Sequence, residues 1–86
     1  MDSYTVTFAR SARKELENLP AREGNRIFSK IESLSHLPRP QGCIKLTGES
    51  GLWRIRVGVY RVVYAIDDDA LSIDIVAVRH RRDVYR

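Results

Sequence analysis

The stretch Trp53-Arg54-Ile55-Arg56-Val57-Gly58-Val59-Tyr60-Arg61-Val62-Val63-Tyr64 decides how this chain is read. Apolar and aromatic residues alternate with arginines on both sides of Gly58-Val59, the pattern of two half-buried strands joined by a tight turn. Glycine supplies the positive φ that the first central position of a type II′ turn requires. With Gly58 and Val59 as the turn, residues whose numbers sum to 117 face each other. One face then pairs Trp53 with Tyr64, Ile55 with Val62 and Val57 with Tyr60, all apolar or aromatic, which supports the register. The other face sets Arg56 opposite Arg61. Like charges directly opposed on a sheet are destabilising, by roughly a few tenths to 1 kcal/mol. A facing arginine pair therefore points to an anion between the two, and phosphate matches the guanidinium fork.

On the N-terminal side, Tyr4, Val6 and Phe8 alternate with Thr5 and Thr7, which predicts a first strand. Ser11 is a plausible N-cap, and Ala12, Leu16 and Leu19 follow at helical spacing with Glu15 in the first turn. That helix ends before Pro20, which is suited to the first position of a second helix. Ile27, Phe28, Ile31, Leu34 and Leu37 form its apolar stripe. Pro38-Arg39-Pro40-Gln41-Gly42 stops it, and a loop is expected to about Leu46. On the C-terminal side, Asp67-Asp68-Asp69 reads as a polar turn before a last strand from Leu71 to Val78. The expected order is β-α-α-β-β-β, an α+β fold in two layers with a helical hairpin against a three-stranded antiparallel meander. A two-residue turn at Asp68-Asp69 pairs the last strands to a sum of 137, which sets His80 on the arginine face.

The 86 residues are expected to form one domain, 1–86, with 43% hydrophobic and 30% charged residues, ordinary for a folded globular chain. No apolar run approaches the roughly 20 residues a membrane span needs, and the first residues lack the basic and apolar regions of a signal peptide. A cytoplasmic location and no membrane partner are expected. Cys43 is the single cysteine, which excludes an intramolecular disulfide and a thiolate cluster for metal, and it reads as structural. The net charge is +4, from 12 arginines and three lysines against 11 acidic residues. Arginine binds phosphate bidentately where lysine is a point charge, so the bias leans toward nucleic acid. A solvated basic surface explains the charge alone equally well, and placement has to decide.

The element order, Lys45-Leu46 before the hairpin, the run Tyr60-Arg61-Val62-Val63-Tyr64 and the ending Val78-Arg79-His80-Arg81-Arg82-Asp83-Val84-Tyr85 resemble the RelE/ParE superfamily of bacterial toxins, over essentially the whole chain. The resemblance is strongest to the RelE-like members, mRNA interferases of type II toxin-antitoxin systems. It implies a ribosome-dependent endoribonuclease that cleaves mRNA in the ribosomal A site and uses no metal or other cofactor. The implied partners are the ribosome with its mRNA and a cognate antitoxin, acidic and partly disordered. A toxin-antitoxin complex that binds operator DNA through the antitoxin is a further possibility. The strand-3 arginine of the RelE pattern corresponds to Arg61, the arginine after the last strand to Arg81, the C-terminal tyrosine to Tyr85, and the two basic residues of strand 2 to Arg54 and Arg56. Arg79 stands where many relatives carry glycine. ParE-like members share the fold but act on DNA gyrase, and a third reading is an inactive relative that only pairs with an antitoxin.

Metal-free RNA cleavage needs a base on the ribose 2′-hydroxyl, a cationic clamp on the phosphoryl oxygens and an acid on the leaving 5′ oxygen. The expected assignment has Arg61 and Arg56 as the clamp, with Arg81 or His80 at the leaving group. Tyr85 stacks on a base, orients the hydroxyl or acts as general base, a role for which His80 competes. Arg54, Lys45 and Arg82 are expected RNA contacts. Arginine stays protonated and cannot be the base. Each residue also has a plainer reading: Arg54 and Arg56 as a solvated face, Arg61 paired with Asp74, Lys45 bordering a loop, His36 at a helix end, and Trp53 with Tyr64 as a core pair.

Overall fold

The computed structural model describes residues 3–46 and 51–82. The elements run β1 (Thr5–Phe8), α1 (Arg10–Glu17), α2 (Ala21–Ser33), β2 (Ile44–Lys45), β3 (Leu52–Val57), β4 (Tyr60–Asp67) and β5 (Ser72–His80). The strands form one sheet in the order β1-β5-β4-β3-β2. The expected α+β order is present, with two additions. The expected loop before Leu46 contains the short strand β2, antiparallel to β3. The first strand joins the meander in parallel with β5, so the sheet is mixed rather than purely antiparallel.

The helices cover one face. Ile27, Ile31 and Leu34 recur at i, i+4 and i+7, and with Ala12 they bury against Ile55, Val57, Val62, Tyr64, Ile73, Ile75 and Val78. A fully buried side chain of this size contributes roughly 1.5–3 kcal/mol, so this layer holds the sheet flat against the helices. The stripe is narrower than expected. Phe28 is 44% exposed and Leu37 59% exposed, because Phe28 is turned one position around α2 from Ile27 and Leu37 follows the end of the helix. α1 begins at Arg10 with Ala9 as its N-cap and no side-chain cap. Ser11 therefore lies inside the helix, and Glu15 lies beyond its first turn. α2 begins one residue later than expected, with Pro20 as N-cap and its carbonyl accepting from the Gly24 N–H at 2.9 Å.

The β3–β4 hairpin has the expected register throughout: Trp53 opposite Tyr64, Ile55 opposite Val62, Arg56 opposite Arg61 and Val57 opposite Tyr60. Gly58 has φ 63° while Val59 stays at negative φ, the signature of a type II′ turn. The β4–β5 register differs from the expected sum of 137. The connection spans residues 68–71, with Asp67 Oδ1 accepting from the Ala70 N–H at 3.0 Å and Leu71 at φ 53°. Asp67 pairs with Ser72, and a bulge between Val63 and Tyr64 adds one further residue of offset. A one-residue shift turns every later side chain to the opposite face. Past the bulge, Arg61 lies opposite Arg79 and Tyr60 opposite His80. His80 is consequently on the helix side of the sheet, and Arg79 takes the place expected for it.

Candidate nucleic-acid interface

On the face away from the helices, Arg56, Arg61 and Arg79 stand in one line across β3, β4 and β5. Arg54 is on the same strand face as Arg56, opposite Val63. Along β4 and β5 this face changes from basic to acidic, since Asp74 lies opposite Ala65 and accepts from the Thr7 hydroxyl at 3.2 Å. Asp74 is therefore four residues along the sheet from the arginine line, not opposite Arg61. The alternation of β3 and β4 exposes this face, and the buried face carries no charged residue among the buried positions.

Three further basic residues gather at the same end of the sheet. The Arg81 backbone N–H donates to the Val59 carbonyl at 2.7 Å, which ties the turn after β5 to the β3–β4 turn. Arg82 follows in that turn, and its N–H donates to His80 Nδ1 at 3.1 Å. The His80 ring meets Tyr60 edge-on, with centroids 5.4 Å apart at 83°. His80 is thus a packed, hydrogen-bonded ring that shapes the Arg81-Arg82 turn rather than a member of the arginine line. From α2, the Arg26 guanidinium lies against the β3–β4 turn, with Nη1 3.2 Å from where a Cβ on Gly58 would sit. A side chain at position 58 would strain the backbone and press on Arg26.

Lys45 is opposite Trp53, which puts it on the helix-side face of the β2 edge and apart from Arg54, Arg56 and Arg61. Tyr85 lies outside the described residues. Among the described residues, no three His, Cys, Asp or Glu side chains gather as a metal site requires. Trp53 and Tyr64 form the expected cross-strand pair: Tyr64 is fully buried and its hydroxyl donates to the Pro38 carbonyl at 2.8 Å. Burial above all, with Cys43 beside it, pushes that hydroxyl well above the ordinary phenol range. His36 is exposed in the turn after α2, as its plain reading had it.

Two residues escaped the sequence reading. Arg79 comes onto this face through the bulge at Val63/Tyr64, which the expected register lacks, and Glu15 reads in the sequence only as a helix-terminal charge. Glu15 Oε1 accepts from the Val78 backbone N–H and Oε2 from Arg79 Nε, each at 3.0 Å. No sequence signal links residues separated by 63 and 64 positions; the contact follows from the parallel pairing of β1 with β5, which swings α1 across the β5 edge.

With this geometry in place, similarity to known proteins assigns the class. The family described as ParE toxin of type II toxin-antitoxin system, parDE, matches residues 6–85. Toxin RelG of Mycobacterium tuberculosis is 36% identical over 84 residues, covering 96% of this chain and 97% of that protein. Among solved structures, the M. tuberculosis toxin-antitoxin complex RelBE2 contains a chain that matches with TM-score 0.81 at 34% identity, over 92% of this chain and 99% of that one. The archaeal RelE-RelB complex of Pyrococcus horikoshii OT3 gives a TM-score of 0.82 at 30% identity, over 92% and 96% of the respective chains. This chain belongs to the ParE toxin family within the RelE/ParE superfamily and is a RelE-like toxin of a type II toxin-antitoxin system. Among the described residues, no helix is long and apolar enough to cross a membrane.

Proposed function

We propose that this toxin is a ribosome-dependent endoribonuclease that cleaves mRNA in the ribosomal A site by attack of a ribose 2′-hydroxyl on the adjacent phosphorus. The observation that carries the proposal is the line of arginines on the helix-free face, Arg61 opposite Arg56 on one side and Arg79 on the other. Cations aligned so closely lower the energy of an anion laid across them, and most of all when charge builds on phosphoryl oxygens in the transition state. Arg61 and Arg56 act as the clamp. Arg81, tethered at the same end of the sheet through Val59, assists the leaving 5′ oxygen. His80 is held by Tyr60 and the Arg82 N–H, so the general-base role passes to Tyr85. Arg54 and Arg82 bind RNA backbone to either side, and Lys45 serves as an outlying contact from the β2 edge. DNA lacks the attacking hydroxyl and resists cleavage.

A cognate antitoxin is the expected protein partner, as the RelBE2 and RelE-RelB structures are toxin-antitoxin complexes. An acidic, partly disordered chain suits this surface, because it folds onto a basic face and onto open strand edges. The β3 edge beyond Arg54 is one such edge. A groove of about 350 Å³ runs beside it, with Leu37, Pro40 and Ile55 supplying apolar contact and Lys30 and Arg56 supplying charge. The complex then reaches operator DNA through the antitoxin.

The family match to ParE toxins favours one second reading, inhibition of DNA gyrase. Programmed ribosomes carrying a defined mRNA, with new 3′ ends mapped by primer extension and gyrase supercoiling assayed in parallel, separate the two. New ends within the A-site codon, absent for Arg61→Ala, are expected. Intact mRNA together with blocked supercoiling would replace the nuclease reading by the gyrase one.

A further inference from the structure

Arg79 and Glu15 have no part in the clamp described above, yet their geometry is that of an extension to it. Adjacent strands lie about 4.8 Å apart, so the line from Arg56 through Arg61 to Arg79 spans roughly 10 Å, wider than one phosphate group. A phosphate seated between Arg56 and Arg61 leaves Arg79 beside the neighbouring stretch of backbone. β1 ends at Phe8, opposite Ile75, and Glu15 supplies an acceptor to β5 beyond that point. Both of its oxygens are engaged: Oε1 takes the Val78 N–H and Oε2 takes Arg79 Nε, each at 3.0 Å. The carboxylate is thereby anchored to the strand and holds the guanidinium by one nitrogen. Among the described residues, no hydrogen bond occupies either Nη of Arg79, and its side chain is 51% exposed. An arginine gripped through Nε keeps its outer amines for a second acceptor, and the planar fork is already oriented when that acceptor arrives.

We propose that Arg79 is a further contact to the RNA backbone and that Glu15 is its positioning residue. The proposal rests on the nucleic-acid reading of the arginine face. A carboxylate that merely sat beside bound RNA would repel it, and removing such a bystander would tighten binding. A positioning carboxylate has the opposite sign: its removal frees Arg79 and weakens binding although the protein becomes more positive.

The test is the salt dependence of binding of a short fluorescein-labelled single-stranded RNA to the full chain, measured by anisotropy with melting curves as folding controls. Each phosphate contact contributes about 0.7 to the slope of log K against log salt for single strands. Arg79→Ala is expected to lower the slope by about 0.7 and to weaken binding several-fold. Glu15→Ala is expected to weaken binding in the wild-type background and to tighten it slightly once Arg79 is alanine. Glu15→Gln, which keeps a carbonyl oxygen for one of the two donors, should retain more of the slope than Glu15→Ala. Tighter binding by Glu15→Ala in the wild-type background would overturn the positioning role. An unchanged slope in Arg79→Ala, with Arg61→Ala still lowering it, would overturn this inference alone. An unchanged slope in both would overturn the nucleic-acid reading as well. Arg79→Ala removes a half-exposed side chain and leaves the Val78 N–H bond to Glu15 in place, so that arm stands even if Glu15→Ala fails to fold.

Discussion

At the Asp68 end of β4 an arginine is surrounded by groups that use up its charge. Arg39 binds Asp68 through both amines, at 2.8 and 3.3 Å, and lies 5.0 Å from the centre of the Trp53 ring. The Tyr4 hydroxyl donates to the same carboxylate at 2.7 Å. Roughly 20 Å along the strand, Arg61 has arginine opposite it on both sides. The first arrangement ties β1, the loop after α2 and the β4–β5 turn together. The second lines up guanidinium groups across three strands, an arrangement that offers several charged donors at once to an outside anion. Counting arginines cannot tell these roles apart; what each one faces does.

The sharpest way to break this division is to remove one arginine from each end. Arg61→Ala should reduce A-site cleavage on the order of 10²-fold or more, in a protein that stays folded. Arg39→Ala should leave cleavage unchanged and lower the melting temperature. Equal losses of cleavage in both variants, measured by primer extension on programmed ribosomes, would show that the two ends are not functionally distinct.

Next in size is the support beneath the Asp68 end. Tyr64→Phe removes the hydroxyl that donates to Pro38 and leaves that part-buried carbonyl short of a donor. A loss of about 1 kcal/mol in urea unfolding is expected, with no change in RNA binding at the far end. A clear drop in RNA affinity would mean that the loop after α2 communicates with the arginine line.

Smaller still is a pH effect confined to the Asp68 end. Arg39 first, then the Tyr4 hydroxyl, hold the Asp68 carboxyl below its ordinary value of 3.8. A depressed folded value means that the contribution is present above about pH 4 and disappears as pH falls through the folded value. The Tyr4 hydroxyl is raised above 10.0, chiefly by its bond to Asp68, so its contribution is present below pH 10 and is lost as pH rises through the higher folded value. The difference in melting temperature between wild type and Asp68→Asn should therefore be greatest in the middle of the range and shrink at both extremes. A difference constant down to pH 2 would remove the ionised carboxylate from the account. Arg39→Lys should have the smallest effect, since it keeps the charge while losing the two-point grip and the stacking on Trp53; circular dichroism melts measure it.

The hairpin was legible because every pairing in it descends from one local turn. Gly58 fixes the turn, alternation fixes the faces, and Arg56 must then meet Arg61. Ile27, Ile31 and Leu34 were legible for the same kind of reason, as helical spacing repeats within a few residues. Phe28 and Leu37 were over-read, because apolar spacing does not say where a helix ends or how wide a stripe its neighbours cover. His80 is expected on the arginine face because the alternation of Ile73, Ile75 and Ala77 carries no mark of a bulge; the longer 68–71 connection shifts the pairing by two and keeps the faces, and the bulge at Val63/Tyr64 exchanges them.

The β3–β4 hairpin, the helical layer and the arginine pair all follow from contacts among residues near in the chain, and the amino-acid order suffices to read them. That Arg79 completes the line and that Glu15 holds it depends on pairing between distant segments. Those placements need β1 to pair in parallel with β5 and β5 to slip by one residue against β4. A single residue of offset exchanges the two faces of a strand, so their outcome belongs to long-range packing and not to any local pattern.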